Sequence, residues 1–291
     1  MAAVEPGVRL VRAPNPSPMT HTGTNTWIVG TGEVAVIDPG PDMPAHLAAI
    51  EAALSPGERI GVVAVTHAHR DHCSLAGELA RRWGAPVAAA GGLVARRRPA
   101  LTALARFGDL GGGEGSDPEF APDLVLEEGA ALDGPDWRLT AVATPGHTAD
   151  HLAFALGDAL FCGDLVMGWA STVISPPDGD LAAFRHSCAR LVERRPRVLL
   201  PGHGDPVADP AARIAWLLAH RNEREAQIVA ALAAGPDTPA ALTARIYTDT
   251  APALLPAAER NVLAHLLDLT ERGLATAHGR SARDATYALL P

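Results

Sequence analysis

The stretch AVTHAHRDHCS, residues 64–74, places His67, His69, Asp71 and His72 within six positions. Packing gives no reason for that density, because imidazoles and a carboxylate taken out of water unpaired are costly. Yet the run just before them, IGVVAVT at residues 60–66, is apolar and β-branched. It reads as a buried strand that delivers the cluster to its end. Neutral imidazole and carboxylate are donors of the zinc type. Residues at i and i+2 of such a loop can face one side, so His67 and His69 can share one metal while Asp71 and His72 face a second.

Four donors from one loop cannot close two sites, so further donors must come from other strand ends on the same rim. TPGHTADH presents His147, FCGDLV presents Asp164 and LLPGHGDP presents His203. Each follows an apolar run and sits beside a glycine, which permits a tight turn near a ligand. His46, His186, His265 and His278 stand alone and read as ordinary core or surface histidines.

Around these segments the chain alternates short apolar runs with amphipathic stretches. NTWIVG and EVAVIDPG read as strands paired across Gly30-Thr31-Gly32, and HLAFALGDALFCGD as a hairpin turning at Gly157-Asp158. MPAHLAAIEAAL, LAGELARRWG and DLAAFRHSCARLVERR carry helical spacing; APVAAA, RLTAVATPG and RVLLPGHG read as strands. Strands mixed with single helices predict an α/β sandwich. After His203 the pattern becomes helical. Asp209-Pro210 and Thr238-Pro239 are helix starts, Pro256 opens a third helix closed by Gly273, and the end reads as a small hairpin. That order predicts a winged-helix module over residues 207–291, after a first domain over 1–206. RFGDLGGGEGSDPEFAPD reads as a loop, and the basic ARRRPALTALAR as a solvated face.

Composition bounds the function. The net charge is −9 and every basic residue is arginine, so no global pull toward nucleic acid or an anionic membrane exists. Cys73, Cys162 and Cys188 form no disulfide framework and fit a reducing compartment. No signal peptide and no membrane-spanning run is visible, so a cytoplasmic protein with no membrane partner is expected.

His67, His69, Asp71, His72, His147, Asp164 and His203 together resemble the signature of the metallo-β-lactamase superfamily, over roughly residues 18 to 206. Asp38 in VIDPG resembles that superfamily's first motif, where the aspartate supports the ligands without touching metal. The resemblance implies an αβ/βα sandwich with two metals in a cleft at one sheet edge. It places the first on His67, His69 and His147, the second on Asp71, His72 and His203, and Asp164 between them. Two zinc ions per chain are expected, with another divalent metal as the alternative. A water shared between them would lose a proton near neutral pH and attack carbon or phosphorus, with Asp71 orienting it. His151 either supports the centre or lies on the surface. Cys73 reads as a small packing residue.

NPSPMTHTGTNTWIVG, TPGHTADH, PGHG, HRNEREAQI and the tail resemble more closely the subgroup that includes the mitochondrial lactamase-like endoribonuclease. That resemblance implies hydrolysis of phosphodiesters in single-stranded RNA, which ranks first here. Hydrolysis of a thioester, lactone or β-lactam is the alternative, and a non-hydrolytic metal-binding or DNA-binding regulator is the third. Net negative charge weighs against RNA, although Arg96, Arg97, Arg98, Arg280 and Arg283 offer a local basic surface. Thr24, Asn25, Trp169, Ser171 and Thr172 are expected to line the cleft. The tail is expected to pack beside the cleft, shaping access or supporting a homodimer.

Overall fold

A computed structural model describes residues 5–105, 115–279 and 281–291. The first sheet holds six strands in sequence order: β1 (Val8–Arg12), β2 (Asn25–Val29), β3 (Glu33–Ile37), β4 (Arg59–Ala64), β5 (Val87–Ala89) and β6 (Leu124–Val125). β1 to β3 are antiparallel, and β3 to β6 are parallel. The second sheet holds β7 (Ala131–Asp133), β8 (Arg138–Ala143), β9 (Leu152–Leu156), β10 (Ala159–Gly163) and β11 (Val198–Pro201), with β11 parallel to β10 at one edge.

Two apolar faces per sheet give a layered sandwich. One core lies between the sheets, where Trp27, Ile37 and Val62 of the first meet Phe154, Phe161 and Leu200 of the second. The outer face of the first sheet is covered by α1 (Pro44–Ala52) and α3 (Ala76–Trp83), through Leu47, Ile50 and Leu79. Between those helices lies the single turn α2 (Arg70–Cys73). Two further short helices, α4 (Leu93–Arg96) and α5 (Pro99–Ala105), follow β5. The outer face of the second sheet is covered by α6 (Leu181–Arg194) and the first half of α7 (Pro210–Ala233), through Phe184, Leu191, Ile214 and Leu217. Gly84 closes α3 in the left-handed conformation that glycine adopts without penalty.

The second half of α7 turns its Ile228 and Leu232 into a separate core. There it meets α8 (Pro239–Ile246), α9 (Leu255–Glu271) and the hairpin of β12 (Ala275–His278) and β13 (Thr286–Leu289). Asp209 and Thr238 cap their helices as their sequence positions predict, accepting from the backbone N–H of Ala212 and Ala241. One long helix thus belongs to both cores and couples the tail to the sandwich. Among the described residues no helix is long and apolar enough to cross a membrane.

Candidate metal centre

Five strand ends meet at one rim. β3 and β4 run parallel in the first sheet, and β8, β10 and β11 share a direction in the second. Their C-terminal ends deliver Asp38, the loop of His67 to His72, His147, Asp164 and His203. Backbone bonds lock the ends together across the sandwich: Asn25 N–H donates to Gly202 O (2.7 Å), Gly202 N–H to Gly163 O (2.9 Å) and Leu152 N–H to Thr66 O (2.8 Å). A side chain at position 202 would come within 2.5 Å of both Asp164 Oδ1 and the His72 ring, so glycine is required there.

The seven donors converge in two overlapping groups. His69 Nδ1 lies 3.0 Å from His67 Nε2 and 3.1 Å from His147 Nε2. His203 Nε2 lies 3.2 Å from both His72 Nε2 and Asp71 Oδ2. Asp164 Oδ2 reaches both groups, at 3.3 Å from His203 Nε2, 3.6 Å from His72 Nε2 and 3.8 Å from His147 Nε2. In each of three triads, His67–His69–His147, His67–His72–Asp164 and Asp71–His72–His203, the donor atoms lie within 4.8 Å of one another.

The outer ring nitrogens fix the direction of the inner ones. His147 Nδ1–H donates to Val173 O (2.7 Å), and His203 Nδ1–H to Gly23 O (3.3 Å). His72 Nδ1–H faces Asp38 Oδ2 (2.9 Å). The Thr66 hydroxyl donates to Asp38 Oδ2 and so accepts from His67 Nδ1 (3.0 Å). In neutral rings the four Nε2 atoms are therefore bare lone pairs aimed into one small volume. Where two ring nitrogens 3.0–3.2 Å apart both present lone pairs, they need a cation between them. Asp164 Oδ1, buried and without a hydrogen-bond partner, has the same need. This donor set fits divalent metal.

Electrostatics divides the centre in two. Burial, reinforced by the neighbouring imidazoles, holds His67 well below the usual histidine range, and His69 is pushed down to about 3 for the same reasons. These rings are neutral and ready to ligate. Burial opposes charge on His203 as well, but the Asp164 and Asp71 carboxylates outweigh it and push the ring up to about 9. Burial would raise Asp164; His203 and His72 instead hold it well below the usual carboxylate range.

Asp38 supports the centre from beneath. Its backbone is left-handed, with φ of 51°, a conformation Asp tolerates better than most residues. Its carboxylate accepts from Thr66 N–H (2.7 Å), the Thr66 hydroxyl (2.8 Å) and His72 Nδ1. In Asp38→Asn an amide NH₂ directed at His72 Nδ1 would favour the other tautomer and put a proton on Nε2. Zinc affinity is expected to fall about 10- to 100-fold. Competition with a chromophoric chelator measures it, and an affinity equal to wild type would contradict this role for Asp38.

His151 is buried. Its Nδ1 pairs with Thr144 Oγ1 (2.8 Å), its Nε2 accepts from Asp164 N–H (3.2 Å), and its ring stacks on His67. Trp169 and Ser171, expected to line the cleft, line a side chamber next to it, with Trp169 stacked on His21. Thr24, Asn25 and Thr172, expected in that lining, are instead fully buried. Asn25 donates to Pro201 O and Gly204 O, and Thr24 Oγ1 points to Asp71 Oδ2 at 3.4 Å, so both brace the centre from behind. Of the arginines expected to form a local basic surface, four are ion-paired. Arg96 pairs with Glu127, Arg97 with Asp178, Arg98 with Asp180 and Glu271, and Arg283 with Glu259. Arg280 and residues 106–114 of the glycine-rich loop lie outside the described residues.

Other contributors carry weaker sequence signals. Asp150 Oδ2 accepts from Ala68 N–H (2.9 Å) and so holds the loop between His67 and His69; it stands in TPGHTADH beside the donor that draws attention. Val173 acts through its carbonyl and has no side-chain signal at all.

Two neighbouring spaces open onto the donors. A cleft of about 330 Å³ exposes His69, Asp71, His147, Asp164 and His203, and the tail contributes Pro256, Ala257 and Arg260 to its wall. A side chamber of about 210 Å³ shares His147 and Asp164 with it. The chamber is walled by Met19, Met167, Val173, Tyr247, Leu254 and Ala257.

Comparison with known proteins agrees with this geometry. Residues 19–203 match the metallo-beta-lactamase superfamily, and residues 238–283 match the beta-lactamase associated winged helix domain. A Beta-lactamase-like protein 2 homolog of Drosophila melanogaster is 30% identical over 89% of this chain and 86% of its own. An atrochrysone carboxyl ACP thioesterase of Aspergillus chevalieri is 29% identical over 79% of this chain and 67% of its own. A metallo-beta-lactamase family protein of Thermus thermophilus superposes with a TM-score of 0.79 at 28% identity, over 99% of this chain and 100% of its own. With its strand-end donor cluster and its C-terminal winged helix, the chain belongs to the metallo-beta-lactamase superfamily and is a metal-dependent hydrolase.

Proposed function

We propose that the centre holds two zinc ions and hydrolyses a carbonyl substrate, an ester or thioester, whose acyl part is apolar. His67, His69 and His147 would hold one ion, Asp71, His72 and His203 the other, with Asp164 shared. When bound, such a pair polarises the scissile group and makes water nucleophilic near neutral pH. Asp71 has 27% of its side chain accessible on the cleft side, which suits it to orient the attacking water. His151 and Asp38 keep Asp164 and His72 aimed inward. The buried, unpaired cysteines support a reducing, cytoplasmic setting.

The observation that carries the substrate class is the apolar chamber next to His147 and Asp164. An acyl chain placed there leaves its carbonyl at the donors. Thioesterase-named relatives support the same chemistry. Hydrolysis of single-stranded RNA, ranked first from sequence, stands second here. In its favour, Trp169 at the chamber and Arg260 at the cleft offer a stacking surface and a cation. Against it, Arg260 is the single arginine among the described residues lining either space. An RNA-tracking groove uses a run of cations.

The test is turnover of zinc-loaded enzyme on acyl thioesters of increasing chain length beside a single-stranded RNA oligonucleotide. Each added methylene should raise kcat/KM roughly fourfold, equivalent to about 0.8 kcal/mol, until the chamber is full. Zinc-dependent cleavage of the RNA with no thioester or ester turned over would overturn the carbonyl reading.

A further inference from the structure

HRNEREAQI contains a residue that the reaction does not yet explain. Arg221, on α7, is 1% exposed, yet among the described residues it forms no ion pair with a carboxylate. Its guanidinium lies over the Phe184 ring, and its Nε has no partner. Burying a cation without a counter-charge is unfavourable, so the fold alone gives no reason to keep arginine there. What the guanidinium does touch is specific: Nη2 donates to Thr172 O, and Nη1 donates to Asn261 Oδ1 (2.9 Å), on α9.

Asn261 Oδ1 also accepts from Ile174 N–H (3.0 Å). That N–H belongs to the same peptide plane as Val173 O, which accepts from His147 Nδ1 (2.7 Å). One rigid peptide group is therefore gripped on one side by the tail and on the other by a donor of the metal centre. The preceding peptide is held too, because its carbonyl is Thr172 O. The Thr172 hydroxyl in turn donates to the carbonyls of Asp164 (3.1 Å) and Leu165 (2.8 Å). Asn261 itself is oriented by its Nδ2–H donating to Ala257 O (3.2 Å).

We propose that Arg221 and Asn261 are positioning residues through which the C-terminal module fixes His147, and the backbone at Asp164, for metal binding. The tail is then a working part of the metal centre as well as a wall of the cleft. The proposal rests on the assignment of His147 as a ligand, and it is independent of whether the substrate is an ester or RNA.

The experiment compares Arg221→Met, which keeps volume without charge, with Asn261→Ala and Asn261→Asp in the full-length protein. Thermal melts monitor folding. Zinc affinity and the visible spectrum of cobalt-substituted protein monitor the centre. Arg221→Met and Asn261→Ala should lose about tenfold or more in zinc affinity. They should also alter the cobalt bands and lower kcat with KM little changed. Asn261→Asp retains both acceptor contacts and loses the bond to Ala257 O, so its spectrum should lie closer to wild type than that of Asn261→Ala. Folded Arg221→Met or Asn261→Ala with wild-type affinity and spectrum would overturn the proposal. Should Arg221→Met fail to fold, Asn261→Ala decides alone, since it truncates one neutral side chain and leaves Arg221 with its bond to Thr172 O. His147→Ala is the reference: wild-type metal binding in that variant would overturn the ligand assignment and the proposal together.

Discussion

Replacing Asp164 with alanine is expected to lower turnover on the order of 10²- to 10⁴-fold and to leave the protein unable to hold a full complement of metal. Among the described residues, Asp164 Oδ2 is the one carboxylate oxygen placed within 3.8 Å of histidines from both donor groups. Its charge faces His72 and His203 in a volume almost closed to water. Removing one partner from a buried charge set costs about 3–5 kcal/mol, because the charges left behind lose their compensation and cannot be solvated. Two divalent ions would suffer that loss most. Turnover and metal content of the purified variant, measured together, check this. A variant that kept wild-type turnover and wild-type metal content would remove Asp164 from the centre.

Metal removal should abolish activity, and the ease of removal should depend on pH in a definite direction. In the metal-free protein the carboxylates Asp164 and Asp71 overcome burial and push His203 up to about 9, and His72 is raised in the same way. A protonated ring cannot ligate, so protons compete with metal at these two positions. Affinity should therefore rise with pH from neutrality up to at least about 9, where His203 gives up its proton. His67 and His69 add no such dependence in this range, because burial keeps them neutral. Loading at pH 7 should release protons, visible in calorimetry as a heat that changes with the ionisation enthalpy of the buffer. Activity should return on adding zinc to the stripped protein. Zinc binding with no proton release at pH 7 would contradict the assignment of His203 and His72.

The donor set is legible in sequence because strand ends are cheap to recognise. An apolar run followed by glycine and one polar donor recurs at His147, Asp164 and His203, and the loop after β4 announces itself by density alone. Asp209 and Thr238 are legible for a similar reason, as each makes a local bond to a backbone N–H three residues on. β6 and β7 are not, since two or three residues carry no periodicity. Long-range partners are the least legible. Nothing local in HRNEREAQI says that Arg221 reaches Thr172, or that Asn261 completes the contact. Thr24 and Asn25 stand next to the rim in sequence, but the Asn25 side chain turns inward to hold the β11 end and the Thr24 hydroxyl points to Asp71 from behind, so proximity along the chain misplaces them in the cleft.

The paired centre is tested most directly by the ratio of zinc to protein after stripping, reloading in excess zinc at pH 8 and removal of unbound metal. Two equivalents per chain are expected, one for each donor group. A ratio that saturates at one, whatever the zinc concentration, would contradict the dinuclear centre.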